Sequence, residues 1–141
     1  MKTLTIKSFC LVILCFALNI SLQGQSCNNA IPLECGTIIS SNNIISGSRF
    51  NRNSFSDCYN GTSSFNGNDV LYRVTVPKAS ITNVRLSGLS KDLDLFLFQC
   101  TSNQLRCFFA STKSGNSDES VNVTLPVDNI TFYILVDGFD I

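Results

Sequence analysis

Asp69–Val76 reads DVLYRVTV, and its side chains alternate: Val70, Tyr72, Val74 and Val76 fall on one face, Leu71, Arg73 and Thr75 on the other. Successive side chains of an extended strand point to opposite faces, whereas a helix repeats its apolar residues every three to four positions. The stretch therefore reads as a strand with one face turned to a core. The same period runs outward along the chain. Residues 120–127 (SVNVTLPV) set Val121, Val123, Leu125 and Val127 against Asn122 and Thr124, and residues 130–136 (ITFYILV) group Ile130, Phe132, Ile134 and Val136. Shorter runs of this kind lie at 37–45, 81–87, 93–99 and 106–111, which makes about seven strands.

Turn-forming clusters separate the runs: Ser46-Gly47-Ser48, Asn66-Gly67-Asn68, Ser87-Gly88, Ser114-Gly115-Asn116 and Asp128-Asn129. Short strands broken by such turns, with no helical segment between them, predict an all-β fold, an antiparallel β-sandwich of jelly-roll-like form. Residues 46–68 hold no clear strand and are expected to form a long surface loop closed down by Cys58, with Tyr59 its exposed ring.

The first 24 residues stand apart. Lys2 and Lys7 precede an apolar run over 9–18, and small residues follow at Ser21, Gly24 and Ser26, the pattern of a secretory signal peptide cleaved near Gly24. The run is shorter than the roughly 20 residues that span a bilayer, so no membrane insertion is expected after cleavage. The expected organisation is a signal peptide over 1–24 and one sandwich domain over 25–141. Without Lys2 and Lys7 there are eight basic residues against ten acidic ones, a net charge of −2 that gives no grip on nucleic acid.

Export makes cysteines disulfides first and thiols second. Cys100 and Cys107 flank a polar insert between two apolar runs and are expected to staple a hairpin. Cys27 and Cys35 are expected to close the N-terminal segment, which leaves Cys58 over.

There is no histidine, which removes Ser-His-Asp and Cys-His chemistry and every imidazole metal ligand. No glycine-rich phosphate loop follows a strand and opens a helix. Paired carboxylates are left. Residues 92–98, DLDLFLF, place Asp92 and Asp94 at a strand start, and Asp137 and Asp140 stand at another strand end. These four could ligate Ca²⁺ through oxygens, and no other cofactor is indicated. The competing reading is that each aspartate caps a turn, with Asp92 and Asp94 tying the Ser87-Gly88 region. Toward its end DLDLFLF is apolar on both faces and belongs inside a sheet. Adjacent Phe108 and Phe109 must point opposite ways on a strand, and the outward ring is expected to be covered.

Four segments in order carry a resemblance: CNNAIPLECG at 27–36, NDVLYRVTV at 68–76, LDLFL at 93–97 and FYILVDG at 132–138. Together they resemble the bacterial pre-peptidase C-terminal domain in its cysteine-containing, exported form. The resemblance implies a non-catalytic β-sandwich accessory module of secreted peptidases and surface proteins, with structural roles for Asp69, Tyr72, Leu93, Leu95 and Gly138. It implies a secreted or cell-surface location and an extracellular protein or polysaccharide as partner; the oligomeric state stays open. Calcium in collagenase relatives binds an N-terminal acidic segment, of which this chain has only Glu34. The family pattern continues past Val136-Asp137-Gly138, so the chain is expected to lack its last strand. Two other readings stand beside this one: a calcium-dependent adhesin, and a small carboxylate-dependent glycan hydrolase.

Overall fold

A computed structural model describes residues 27–41, 49–63, 65–77, 80–102 and 104–138. The segment read as a signal peptide, the Ser46-Gly47-Ser48 turn and Asp140 lie outside them. Among the described residues seven strands form two sheets: β1 (Ile31–Leu33), β2 (Asp69–Val76), β3 (Ser80–Leu86), β4 (Leu93–Thr101), β5 (Gln104–Ser111), β6 (Glu119–Leu125) and β7 (Ile130–Gly138). Among the described residues the other regular elements are two 3-10 turns, Cys27–Asn29 and Arg52–Phe55. The all-β reading holds. Of the strand read at 37–45, residues 37–41 form none and 42–45 lie outside the described residues; the first described strand is the short β1, which pairs parallel to β2.

The larger sheet has the order β1-β2-β7-β4-β5, and β3 pairs with β6 in the smaller one. Apart from β1, neighbouring strands are antiparallel. The chain passes between sheets after β2, β3, β5 and β6, so β7 returns to lie between β2 and β4 although it follows both in sequence. This interleaving fixes the register of three strands against one another.

The period-two pattern of the sequence accounts for the inner core. Val70, Tyr72, Val74 and Val76 of β2, Leu95 and Leu97 of β4, and Phe132 and Ile134 of β7 meet Val121, Val123 and Leu125 of β6, all buried. Leu93 is half-buried and Leu95 fully buried. Val127, expected to join this face, lies beyond the end of β6 and is exposed.

A second core covers the opposite face of the five-stranded sheet. Phe96 and Phe98 of β4, Tyr133 and Leu135 of β7, and Cys107 of β5 pack there against Cys27, Ala30, Phe50, Phe55 and Phe65. Burial of β4 on both sides agrees with the reading of DLDLFLF as an interior strand. Residues 49–68 are therefore a cover and not the surface loop their polar composition implied. Phe55 stacks on Phe96 at 4.0 Å between ring centroids and meets Phe65 edge-on at 4.8 Å. Tyr59, read as the exposed ring, is half-buried, meets Phe65 edge-on at 4.9 Å and donates its hydroxyl to Ser63 Oγ. Asn51 caps the Arg52–Phe55 turn by accepting from the Asn53 N–H at 3.0 Å.

One disulfide joins the cover to the sheet and the other joins the N-terminal segment to it, and both expected pairings are corrected. Cys27 bonds Cys100, and Cys58 bonds Cys107. Cys100 and Cys107 share a face of the β4–β5 hairpin, but Cys100 stands opposite Leu105 and Cys107 opposite Phe98. They are diagonal neighbours, whose Cβ atoms stand roughly 7 Å apart, against the roughly 4 Å that a disulfide requires. Cys58 is thus not left over; among the described residues Cys35 is the free, exposed thiol. Bridges across 73 and 49 residues constrain the unfolded chain by about 4 kcal/mol each on the loop-closure account, less where the two loops overlap, against roughly 2 kcal/mol for the short staple expected.

Candidate functional site

Three aspartates stand in a row across the larger sheet. Asp69 on β2 pairs with Asp137 on β7, and Asp137 pairs with Asp94 on β4. Each lies an even number of residues from an aromatic-face neighbour: Leu71, Leu135 and Phe96 respectively. All three therefore point to the covered face, at the end of the sheet where the cover begins. Exposure is 3% for Asp69, 6% for Asp94 and 0% for Asp137, which places them inside the protein.

Their hydrogen bonding is uneven. Asp69 Oδ2 accepts the backbone N–H groups of Arg49 and Phe50 at 2.5 and 2.8 Å, anchoring the start of the cover. Asp69 Oδ1, both oxygens of Asp137 and Asp92 Oδ1 are buried with no partner. Gly138 donates its N–H to the Asn68 carbonyl at 3.1 Å, which ties the end of the cover to β7. Nearby, Glu119 at the start of β6 is also fully buried but satisfied, by the Ser111 hydroxyl and by the Lys113 N–H at 2.7 Å.

Burial without a countercharge disfavours ionisation. Burial first, then the Asp92 charge and the Glu119 charge, raise Asp94 to about 7. Asp137 is raised further, to about 9, by burial, then by the hydrogen bond that only its protonated form can make to Asp69, then by the charges of Asp69 and Asp94. Among the described residues the ion pair is elsewhere, between exposed Arg85 and Asp118 at 2.6 Å, and the hydrogen bond from Arg85 holds Asp118 below the usual carboxylate range.

Of the four aspartates read as cation ligands, Asp94 and Asp137 are brought together and Asp92 lies in the segment entering β4; Asp140 is outside the described residues. No group of three or more His, Cys, Asp or Glu among the described residues is arranged to hold a metal ion. Asp92 and Asp94 do not tie the Ser87-Gly88 turn either: the Gly88 N–H is held by Asp118 Oδ1 at 3.3 Å. A carboxylate hydrolase needs its pair open to a glycan, and these side chains lie under the cover. Sequence reasoning assigned Asp69 only a structural role and passed over Glu119. Each sits at a strand end like the other acids, but the register that joins Asp69 to Asp137 spans 68 positions and leaves no local trace.

The outer surface offers a different feature. Phe109 is 44% exposed, against the expectation of a covered ring, and Phe108, packed on the inner core, meets it edge-on at 5.4 Å. On the smaller sheet Asn83 Nδ2 donates to Ser120 Oγ and Asn122 Oδ1, a polar outer face.

Two stacked sheets, two disulfides and a buried acid row define an all-β module. The family model of the bacterial pre-peptidase C-terminal domain matches residues 70–138, from the second residue of β2 to the last of β7. The match falls on the family that the motifs resembled, over the last three of the four segments, and that family is one of non-catalytic accessory domains. No curated protein and no solved structure matches the chain.

Proposed function

We propose that this protein is a non-catalytic accessory module of an exported system, which holds an extracellular protein or polysaccharide while another component acts on it. The observation that carries the reading is the pair of disulfides that staple the cover and the N-terminal segment to the sheet. Such bridges persist in oxidising compartments and are rare in the cytosol. The family match supports the accessory role, and the burial of the acid row speaks against catalysis by it. Among the described residues no helix is long and apolar enough to cross a membrane, which is compatible with release or surface display. The exposed Phe109 on β5 is the candidate contact, since a ring that stays in water on a folded domain is the kind of group a partner covers.

The test is sedimentation with insoluble collagen, cellulose, chitin and peptidoglycan, with and without EDTA, while soluble products are assayed. Retention on at least one polymer, undiminished by EDTA, weakened by Phe109→Ala and accompanied by no cleavage, is the expected result. Retention lost in EDTA would favour the calcium-dependent adhesin instead. Released sugar that disappears in Asp94→Asn would establish the hydrolase and end the accessory reading.

A further inference from the structure

The row Asp69, Asp137, Asp94 is crowded in a way that three carboxylates cannot sustain. Directly paired residues on antiparallel strands stand about 5 Å apart at the backbone, and like charges held so close inside a protein do not all ionise. The groups facing Asp137 are acidic on both sides: Asp69 from β2 and Asp94 from β4, with Asp92 ahead of Asp94, and Glu119 of β6 acting on Asp94. The cover contributes the backbone N–H groups of Arg49 and Phe50, both spent on Asp69 Oδ2. Arg49, whose N–H bonds Asp69, is exposed, as are Arg73 and Lys91, the cations nearest in sequence to Asp69 and Asp94. No donor remains for Asp69 Oδ1 or for either oxygen of Asp137.

One proton removes the conflict. Carried by Asp137, it turns two orphan acceptors into a donor and an acceptor, and it takes one charge from the row. We propose that Asp137 is a neutral acid that donates to Asp69 Oδ1, and that this shared proton latches the covering segment, which lifts from the Arg49 end when the proton is lost. The lifting follows from the geometry. A fully charged row needs water, and water reaches it where Arg49 and Phe50 close over Asp69; the Cys58–Cys107 bridge keeps the far end of the cover tethered. Burial raises both Asp137 and Asp94, in the sense that the crowding demands. In the unfolded chain both carboxyls titrate near 3.8, and in the folded chain higher. The proton therefore stabilises the fold fully below about pH 4, and that stabilisation is lost as pH rises through about 7 and then about 9.

Thermal unfolding between pH 5 and 10 in EDTA, for the parent and Asp137→Asn, tests the latch. Asparagine keeps the donor to Asp69 Oδ1 and cannot ionise. The parent Tm should fall steadily toward pH 9 while that of the variant stays flatter, so that the variant is the more stable above pH 8. The ¹³C resonance of the Asp137 carboxyl in the parent should remain that of the acid at pH 7. Amide protection at Arg49 and Phe50, corrected for intrinsic exchange, should drop at least tenfold between pH 6 and 9. An Asp137 carboxyl that titrates below pH 5 overturns the proposal whether or not the variant folds. A variant with the parent's pH slope, or amide protection that ignores pH, does the same. So does a rise in parent Tm with added Ca²⁺ at pH 8 that Asp137→Asn lacks, since the row would then hold a cation in place of the proton.

Discussion

The two faces of the five-stranded sheet are buried by different means. On the inner face Val74, Leu97 and Ile134 meet Val121, Val123 and Leu125, aliphatic side chains presented by regular strands on both sides. On the outer face Phe96, Phe98 and Leu135 meet Phe50, Phe55 and Phe65, aromatic rings presented by segments without a ladder of their own. A strand partner holds its backbone by ladder hydrogen bonds, so its side chains need only fit. The cover has none, and it is held instead by the Cys58–Cys107 disulfide, the Asp69 carboxylate and a few large rings, while Cys27–Cys100 holds the N-terminal segment beside it. Fewer, larger attachments should make the outer core more vulnerable to single substitutions than the inner one.

The sharpest way to break this comparison is to remove a ring. Phe96 is fully buried and contacts both Phe55 and Phe65, so Phe96→Ala leaves a cavity that irregular backbone cannot close without losing its other contacts. Losses for buried Phe→Ala run to about 3–5 kcal/mol, whereas Val123→Ala on the inner face removes two methyl groups and should cost roughly 2 kcal/mol. Denaturant unfolding of the two variants measures the difference. Equal losses would mean that the cover is as firmly seated as a strand.

Next in size is the covalent attachment. Replacing Cys58 and Cys107 together by serine should cost about 2–4 kcal/mol, and hydrogen exchange should speed up over 49–63 before it does in β2 or β7. Uniform loosening of both sheets would instead make the bridge a global constraint and erase the distinction between the faces.

The same contrast explains what the sequence made legible. The inner core was readable because DVLYRVTV and its kin repeat every two residues, and six of the seven expected strands lie where that period put them. The outer core was not, because Phe50, Phe55 and Phe65 are spaced by chain geometry with no period, among Asn and Ser residues that mimic a solvated loop. The disulfides failed for a related reason. Local spacing favours short loops, while Cys27 and Cys58 find partners only once the cover is laid over the β4–β5 hairpin. In the acid row, Asp94 and Asp137 were visible as strand-end carboxylates; that they share one register with Asp69, beneath a cover, was not.

A smaller effect comes from the place where cover and sheet touch backbone to backbone. Gly67 is buried, and a Cβ placed on it would overlap the Gly138 backbone, including its carbonyl. Backbone cannot rotate away as a side chain does, so Gly67→Ala must push the cover off β7 near Asp137. Overpacking of this kind costs about 1–3 kcal/mol, and the loss should be accompanied by weaker protection of the Gly138 amide, which donates to Asn68. Retention of that protection would show that the cover shifts freely and that its close contact with β7 is incidental.

The smallest effect is expected at Cys35, and it sharpens the comparison by its absence. The cysteine lies in a turn outside both cores, exposed, next to a Gly36 whose φ of +86° lies in the left-handed region that glycine adopts without strain. Its neighbours Glu34 and Thr37 close the turn through the Glu34 carbonyl, which accepts the Thr37 N–H at 3.2 Å and hydroxyl at 2.7 Å, without any contribution from sulfur. Cys35→Ser should therefore leave the unfolding midpoint within experimental error of the parent. Alkylation without reduction should label Cys35, and digestion should yield the linked peptides Cys27–Cys100 and Cys58–Cys107. A Cys27–Cys35 peptide in that digest would detach the N-terminal segment from the β4–β5 hairpin and leave the outer core with one staple, in which case Cys35→Ser would be the more damaging change.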